Sequence, residues 1–224
     1  MDHELRKRGT GAYPFDHFML AAADLEAAAT QFERRTGVRP SEGGRHPGQG
    51  SRNMLATLGA GCYLEIIGPD LKQERSNNLG AVLTQLPAPI LLKYALRTND
   101  IAALHARAAA LGLWPLTSGG ERAPGPFAMS RALPSGGLLT WRLLLLGSDS
   151  YGDCVPFFIQ WDGEPHPSKT AAAGCTLTKF WVEHPDAAGL AKLFASLGLE
   201  VDVVAAEKPA LKLTIGAPKG EVTF

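Results

Sequence analysis

One local grammar occurs three times along this chain, and it limits the fold more than any other feature. A hydrophobic run of strand length meets an acidic residue, then an Ala- and Leu-rich stretch with helical spacing, then a glycine. The first copy is residues 15–22, Asp24, a helix over 25–35 and Gly37. The second is residues 90–98, Asn99-Asp100, a helix over 101–111 and Gly112. The third is residues 176–183, Asp186, a helix over 187–197 and Gly198. An Asp at a helix start accepts from the free N–H groups of the first turn, and a Gly at its end takes up the left-handed closing conformation. Asp24-Leu25, Asp100-Ile101 and Asp186-Ala187 superpose without gaps, which is the mark of duplicated structural units.

After each helix the apolar period shortens toward two, the period of strands. In the first copy, segments 54–58 and 63–67 flank Gly59-Ala60-Gly61, a hairpin signal. In the second, 138–146 and 155–161 flank a Gly/Ser/Asp-rich turn over 147–153; in the third, 200–205 and 211–215 are followed by 221–224. The expected class is α+β, built from tandem βαβββ modules with a third, shortened one. The expected divisions are a flexible N-terminus over 1–12, a first module over 13–70, a linker over 71–89, a second module over 90–163 and a third partial module over 164–224. The linker holds a short helix over 79–86, stopped by Pro87 and Pro89.

Lys plus Arg and Asp plus Glu both total 22, so net charge gives no reason to expect a nucleic acid or an anionic membrane as partner. The basic run Arg6-Lys7-Arg8 reads as a solvated terminus. No apolar stretch follows Met1-Asp2-His3-Glu4, and 143–146 is far too short to span a bilayer. Cys62, Cys154 and Cys175 lack metal-type spacing and leave one thiol unpaired in any disulfide scheme. They read as buried thiols, and the expected location is the cytoplasm.

His17 lies inside the strand-length run 15–20, and Glu65 lies between Leu64 and Ile66. An ionisable group within a buried strand is costly unless it is paired. A divalent cation shared by imidazole and carboxylate is one such partner. An acid–base role is another. The glycine-rich loop over 43–50, which contains His46 and Pro47, suits an ordered turn near a ligand, and Arg52 and Asn53 open the next strand with side chains that bind carboxylates or oxyanions. Trp161 reads as pocket lining or core. No GxGxxG, Walker or Gly-x-Ser-x-Gly spacing occurs. His105, His166 and His184 are not assigned to the site.

Asp16-His17, residues 46–53, residues 63–67 and residues 156–161 together resemble the vicinal-oxygen-chelate superfamily, and more closely its glyoxalase-like domain proteins. The resemblance implies a curved mixed sheet whose concave face holds the site, with metal ligands from the first and fourth strands of both modules. It places His17 and Glu65 at the first module's two positions. Aligning Asp24 with Asp100 sets Lys93 opposite His17, and Gln160 is the polar residue nearest the second module's carboxylate position. A protonated lysine has no lone pair for a metal.

The resemblance therefore implies a small carbonyl compound as ligand, a divalent metal (Zn, Ni, Mn, Fe or Mg) on His17, Glu65 and Gln160, and Glu65 as the proton-transferring group. His46, Arg52, Asn53, Lys93 and Trp161 would contact substrate, in isomerase or lyase chemistry through an enediolate. The alternative is a metal-free protein that sequesters a small molecule, as resistance proteins do, with Lys93 paired to Glu65 or Gln160. Partners are expected to be a small molecule, with a homodimer allowed.

Overall fold

The computed structural model of the chain describes residues 12–59, 61–132 and 136–224. Of the expected flexible N-terminus, residues 1–11, with the run Arg6-Lys7-Arg8, lie outside the described residues.

The first module is β1 (Phe15–Ala21), α1 (Leu25–Thr36), β2 (Ser41–His46), β3 (Ser51–Thr57) and β4 (Tyr63–Pro69), followed by the short α2 (Leu79–Thr84). The second is β5 (Ile90–Arg97), α3 (Ile101–Ala110), β6 (Trp114–Leu116), β7 (Phe127–Ala132), β8 (Leu138–Gly147) and β9 (Phe157–Trp161). Asp24 and Asp100 cap their helices by accepting from Ala27 N at 3.0 Å and Ala103 N at 2.9 Å. Gly37 closes α1 at φ 81°, a conformation that a Cβ would strain.

Nine strands form one sheet in the order β2-β3-β4-β1-β5-β9-β8-β6, with β7 also paired to β8. In each module the first strand lies parallel to the last, β1 on β4 and β5 on β9. The modules meet where β1 and β5 run antiparallel. Phe18 pairs with Tyr94 there, so that His17↔Ala95 and Met19↔Lys93 are mirror pairs about a local pseudo-dyad. The register slips once on either side of this pair, adding Asp16 to β1 and Leu92 to β5. Such bulges put two consecutive side chains on one face. The sheet curls until its ends approach, and Arg131 of β7 donates to Gly43 O of β2.

Strand alternation separates two cores. Phe18, Leu64, Ile66, Tyr94 and Phe158 face α1 and α3, each contributing roughly 1.5–3 kcal/mol through burial. Met19, Ile67, Ala95, Phe157 and Ile159 face the concave side, where Leu83 of α2 joins them.

The third unit is β10 (Thr176–His184), α4 (Ala187–Leu197), β11 (Asp202–Ala205), β12 (Ala210–Ala217) and β13 (Gly220–Thr223). Its wiring differs from that of the first two. β11, directly after the helix, takes the place parallel to β10, and the four-stranded order is β11-β10-β12-β13. Phe180 brings this sheet onto the helix side of the large one, with ring centroids 4.6 Å from Tyr94 and 4.8 Å from Phe18. The third unit thus covers its own chain's sheet. Among the described residues, no helix is long and apolar enough to cross a membrane.

Candidate functional site

Parallel pairing of β1 and β4 sets His17 beside Tyr63 and Met19 beside Glu65. His17 and Glu65 therefore share the concave face, with His17 Nε2 3.6 Å from Glu65 Oε2. Both are buried, at 4% and 6% exposure. The Tyr63 ring stacks on the imidazole at 4.7 Å between centroids. Burial, with the Asp16 and Glu65 carboxyls nearby, pushes the Tyr63 phenol far above its ordinary value, so it remains protonated.

The β1 bulge turns Asp16 to the same side as His17, beneath it and fully enclosed. Its Oδ1 accepts from His17 Nδ1 at 2.7 Å. Its Oδ2 accepts from Trp161 Nε1 at 2.9 Å and His166 Nε2 at 3.0 Å, and Arg97 Nε lies 3.6 Å away. Burial alone would raise this carboxyl's pKa; hydrogen bonds from His166 and His17 outweigh it and hold the group well below the usual carboxylate range. An ionised Asp16 accepts only, so His17 carries its proton on Nδ1 and directs Nε2 at Glu65.

Asn53 holds the other side of Glu65. Its Oδ1 accepts from Gly44 N at 2.8 Å, which fixes the amide and aims Nδ2 at Glu65 Oε1. His46 Nε2 lies 3.8 Å from the same Oε1, and its Nδ1 lies 2.9 Å from Ser51 Oγ. Burial drives the His46 pKa down against the pull of Glu65, which favours the neutral ring.

These groups floor a cavity of about 250 Å³, walled by Met129 of β7, Trp141, Leu143 and Leu145 of β8, and Leu79 and Val82 of α2. A mainly apolar wall around a few convergent polar groups is the usual form of a small-molecule site. Within it, Glu65 and His17 Nε2 stand close enough to exchange a proton with a common substrate atom.

Of the residues singled out in the sequence, His17, His46, Asn53, Glu65, Lys93 and Trp161 line this cavity. Two do not. Arg52 is one residue out of phase with Asn53; it points to the helix side and pairs with Glu26 of α1 at 3.1 Å. Gln160 does alternate in phase with Phe158, but Phe158 belongs to the helix-side core, and Gln160 Oε1 accepts from Ile101 N at the start of α3, 2.9 Å away. Lys93 pairs with Asp153 at 2.8 Å, a partner the sequence reading did not consider.

Four participants were missed: Asp16, Tyr63, His166 and Arg131. His166 was set aside as a turn residue beside Pro165 and Pro167. Met129 and Arg131 alternate onto one face of β7, a strand that the sequence reading left unassigned. The thiols stand apart from this cavity, and burial raises all three, Cys154 to about 11.

The donor set can be tested against a metal centre. Parallel register places Phe157 beside Ala95 as Glu65 stands beside Met19, so the four corresponding positions hold His17, Glu65, Lys93 and Phe157. An ammonium and a benzyl ring supply no lone pair. Among the described residues, no three His, Cys, Asp or Glu side chains are grouped to hold a metal ion. The residues present do not complete a metal centre of the implied kind.

Residues 15–198 match the sequence model of a family described as a glyoxalase-like domain. No curated protein matches significantly. Among solved structures, a hypothetical protein from Staphylococcus aureus shares the fold at a TM-score of 0.62 with 18% identity, covering 94% of this chain and 84% of that one. Methylmalonyl-CoA epimerase from Mycobacterium tuberculosis superposes at a TM-score of 0.43 with 16% identity, over 72% of this chain and 95% of that one.

Proposed function

This chain belongs to the glyoxalase-like domain family, and from that premise we propose that its concave cavity takes a small carbonyl compound and moves a proton on the carbon beside the carbonyl. The observation that carries the reading is the line Asp16–His17–Glu65, in which a buried carboxylate orients an imidazole toward a second carboxyl at 3.6 Å.

Glu65 takes the proton from carbon, and Asn53, fixed by Gly44 N, keeps its carboxyl in place. The proton passes from Glu65 to the free Nε2 of His17, 3.6 Å away, where Asp16 behind the ring stabilises the positive charge that develops. The protonated Tyr63 phenol lining the same cavity is the donor for the forming enolate. A preorganised partner for such an oxyanion is worth several kcal/mol relative to water. The apolar walls exclude competing water. No step is assigned to a metal, because Lys93 and Phe157 occupy two of the four donor positions.

The test is deuterium uptake from solvent at the carbon beside the carbonyl, followed by proton NMR across a panel of oxo acids, oxo aldehydes and hydroxy ketones. Uptake by the native protein that falls by about a hundredfold or more in Glu65→Gln supports the reading. The same Lys93 and Phe157 favour a second reading, a sequestering protein. Saturable binding with no uptake across the panel would establish it and end the first.

A further inference from the structure

We propose that the ligand of this cavity carries a carboxylate, recognised by Arg131. This rests on reading the cavity as the ligand site, and is independent of whether a proton is moved there.

Arg131 is only 9% exposed and lines the cavity. A guanidinium is permanently charged and offers five N–H donors. Here Nη1 donates to the backbone oxygen of Gly43. Among the described residues no carboxylate pairs with it, whereas Arg39, Arg45, Arg52, Arg97 and Arg142 each have one. A buried cation without a counter-charge is unfavourable, and a ligand that supplies one is bound correspondingly better.

The surroundings are shaped for this side chain. A Cβ on Gly44 would lie 2.9 Å from Arg131 Nη1, so the glycine backbone is what lets the guanidinium lie against β2. Strand alternation puts Met129 beside Arg131 on the same face, and Leu139 is its register partner on β8. A charged end on Arg131 would therefore leave the rest of the ligand against Met129, Trp141 and Leu143. The cavity's other cation, Lys93, is already matched by Asp153. Glu65 lines the same cavity but forms no ion pair with Arg131, so the guanidinium fork is left for a ligand, and a short monoanion with a planar carboxylate and an apolar body fits it.

The test compares hexanoate and phenylacetate with hexanamide and phenylacetamide, which keep shape and lose charge. Binding is read from the fluorescence of Trp141 and Trp161 and from backbone amide shifts of cavity residues. In the native protein each acid should bind at least about tenfold more tightly than its amide. In Arg131→Gln that ratio should fall to near one with amide binding retained, and Arg131→Lys should recover part of it. The acid-to-amide comparison on the native protein needs no variant, so it stands if Arg131→Gln does not fold. Equal affinities for acid and amide, no binding of either acid at about 10 mM, or a preference that survives Arg131→Gln would each overturn the proposal. An acid preference in the native protein that is lost in Arg131→Gln, without deuterium uptake, would count against the proton-transfer reading alone.

Discussion

Lys93 stands in β5 where His17 stands in β1: the antiparallel register that sets His17 against Ala95 sets Lys93 against Met19. The duplication that doubled the module did not leave a doubled donor set. One half presents an imidazole and a carboxyl, the other an ammonium and a phenyl ring. Restoring the missing donors with Lys93→His and Phe157→Glu should raise zinc affinity by about a hundredfold or more over the native chain, measured by calorimetry. No gain would mean that the two halves do not converge on one point.

Asp16 holds His17 in a single tautomer, and an amide there would present a donor where an acceptor is required. Asp16→Asn should lower deuterium uptake by roughly 10²–10⁴-fold with little change in ligand affinity. An uptake rate close to native would remove Asp16 from any catalytic relay.

Asp70 is buried and accepts from Lys72 N at 3.1 Å and Gln73 Nε2 at 2.9 Å as well as from Arg45. Burial opposes its ionisation, but the hydrogen bonds from Arg45, Gln73 and Lys72 outweigh it and lower its pKa to about 2. The folded pKa lies below the unfolded one, so this stabilisation is complete above about pH 4 and is lost as pH falls through about 2. Asp70→Asn should cost about 1–2 kcal/mol at neutral pH and flatten the acid limb of a denaturation series. An unchanged acid limb would contradict the assignment.

His46 is buried with its pKa pushed below 6.5. Below that pH the unfolded chain takes up a proton that the folded protein resists, so stability falls as pH drops below about 6.5. His46→Gln should remove that part of the slope in urea titrations at successive pH values. A slope that persists unchanged would show that His46 is charged when folded.

Gly43 leaves no room for a side chain: an added Cβ would lie 2.2 Å from Asn53 Oδ1 and 2.8 Å from Leu55 Cγ. Gly43→Ala should destabilise the fold by about 1–3 kcal/mol and displace Asn53 from Glu65. Chemical denaturation and loss of deuterium uptake would record the two effects together.

The strand–cap–helix repeats were determined by the sequence itself, because caps and alternating apolar runs are local. Asp24, Asp100 and Asp186 each accept from a first-turn N–H, as their positions require. His17 and Glu65 were legible as a pair for the same reason, since ionisable residues inside apolar strands stand out. Period two also separates Arg52 from Asn53, yet nothing local says which of the two faces inward; packing of β3 against α1 decides it. Gln160 went the same way with Phe158.

Asp16 marks the limit most clearly. Strict alternation puts it on the face opposite His17, and only the slip of β1 against β5 turns it to the same side. His166, which with His17 keeps it ionised, and Trp161 and Arg97, which also lie against it, arrive from distant segments. Arg131 reaches the cavity only because the curled sheet brings β7 to β2. Register and closure depend on contacts between strands far apart in the chain, and these the order of residues alone does not reveal.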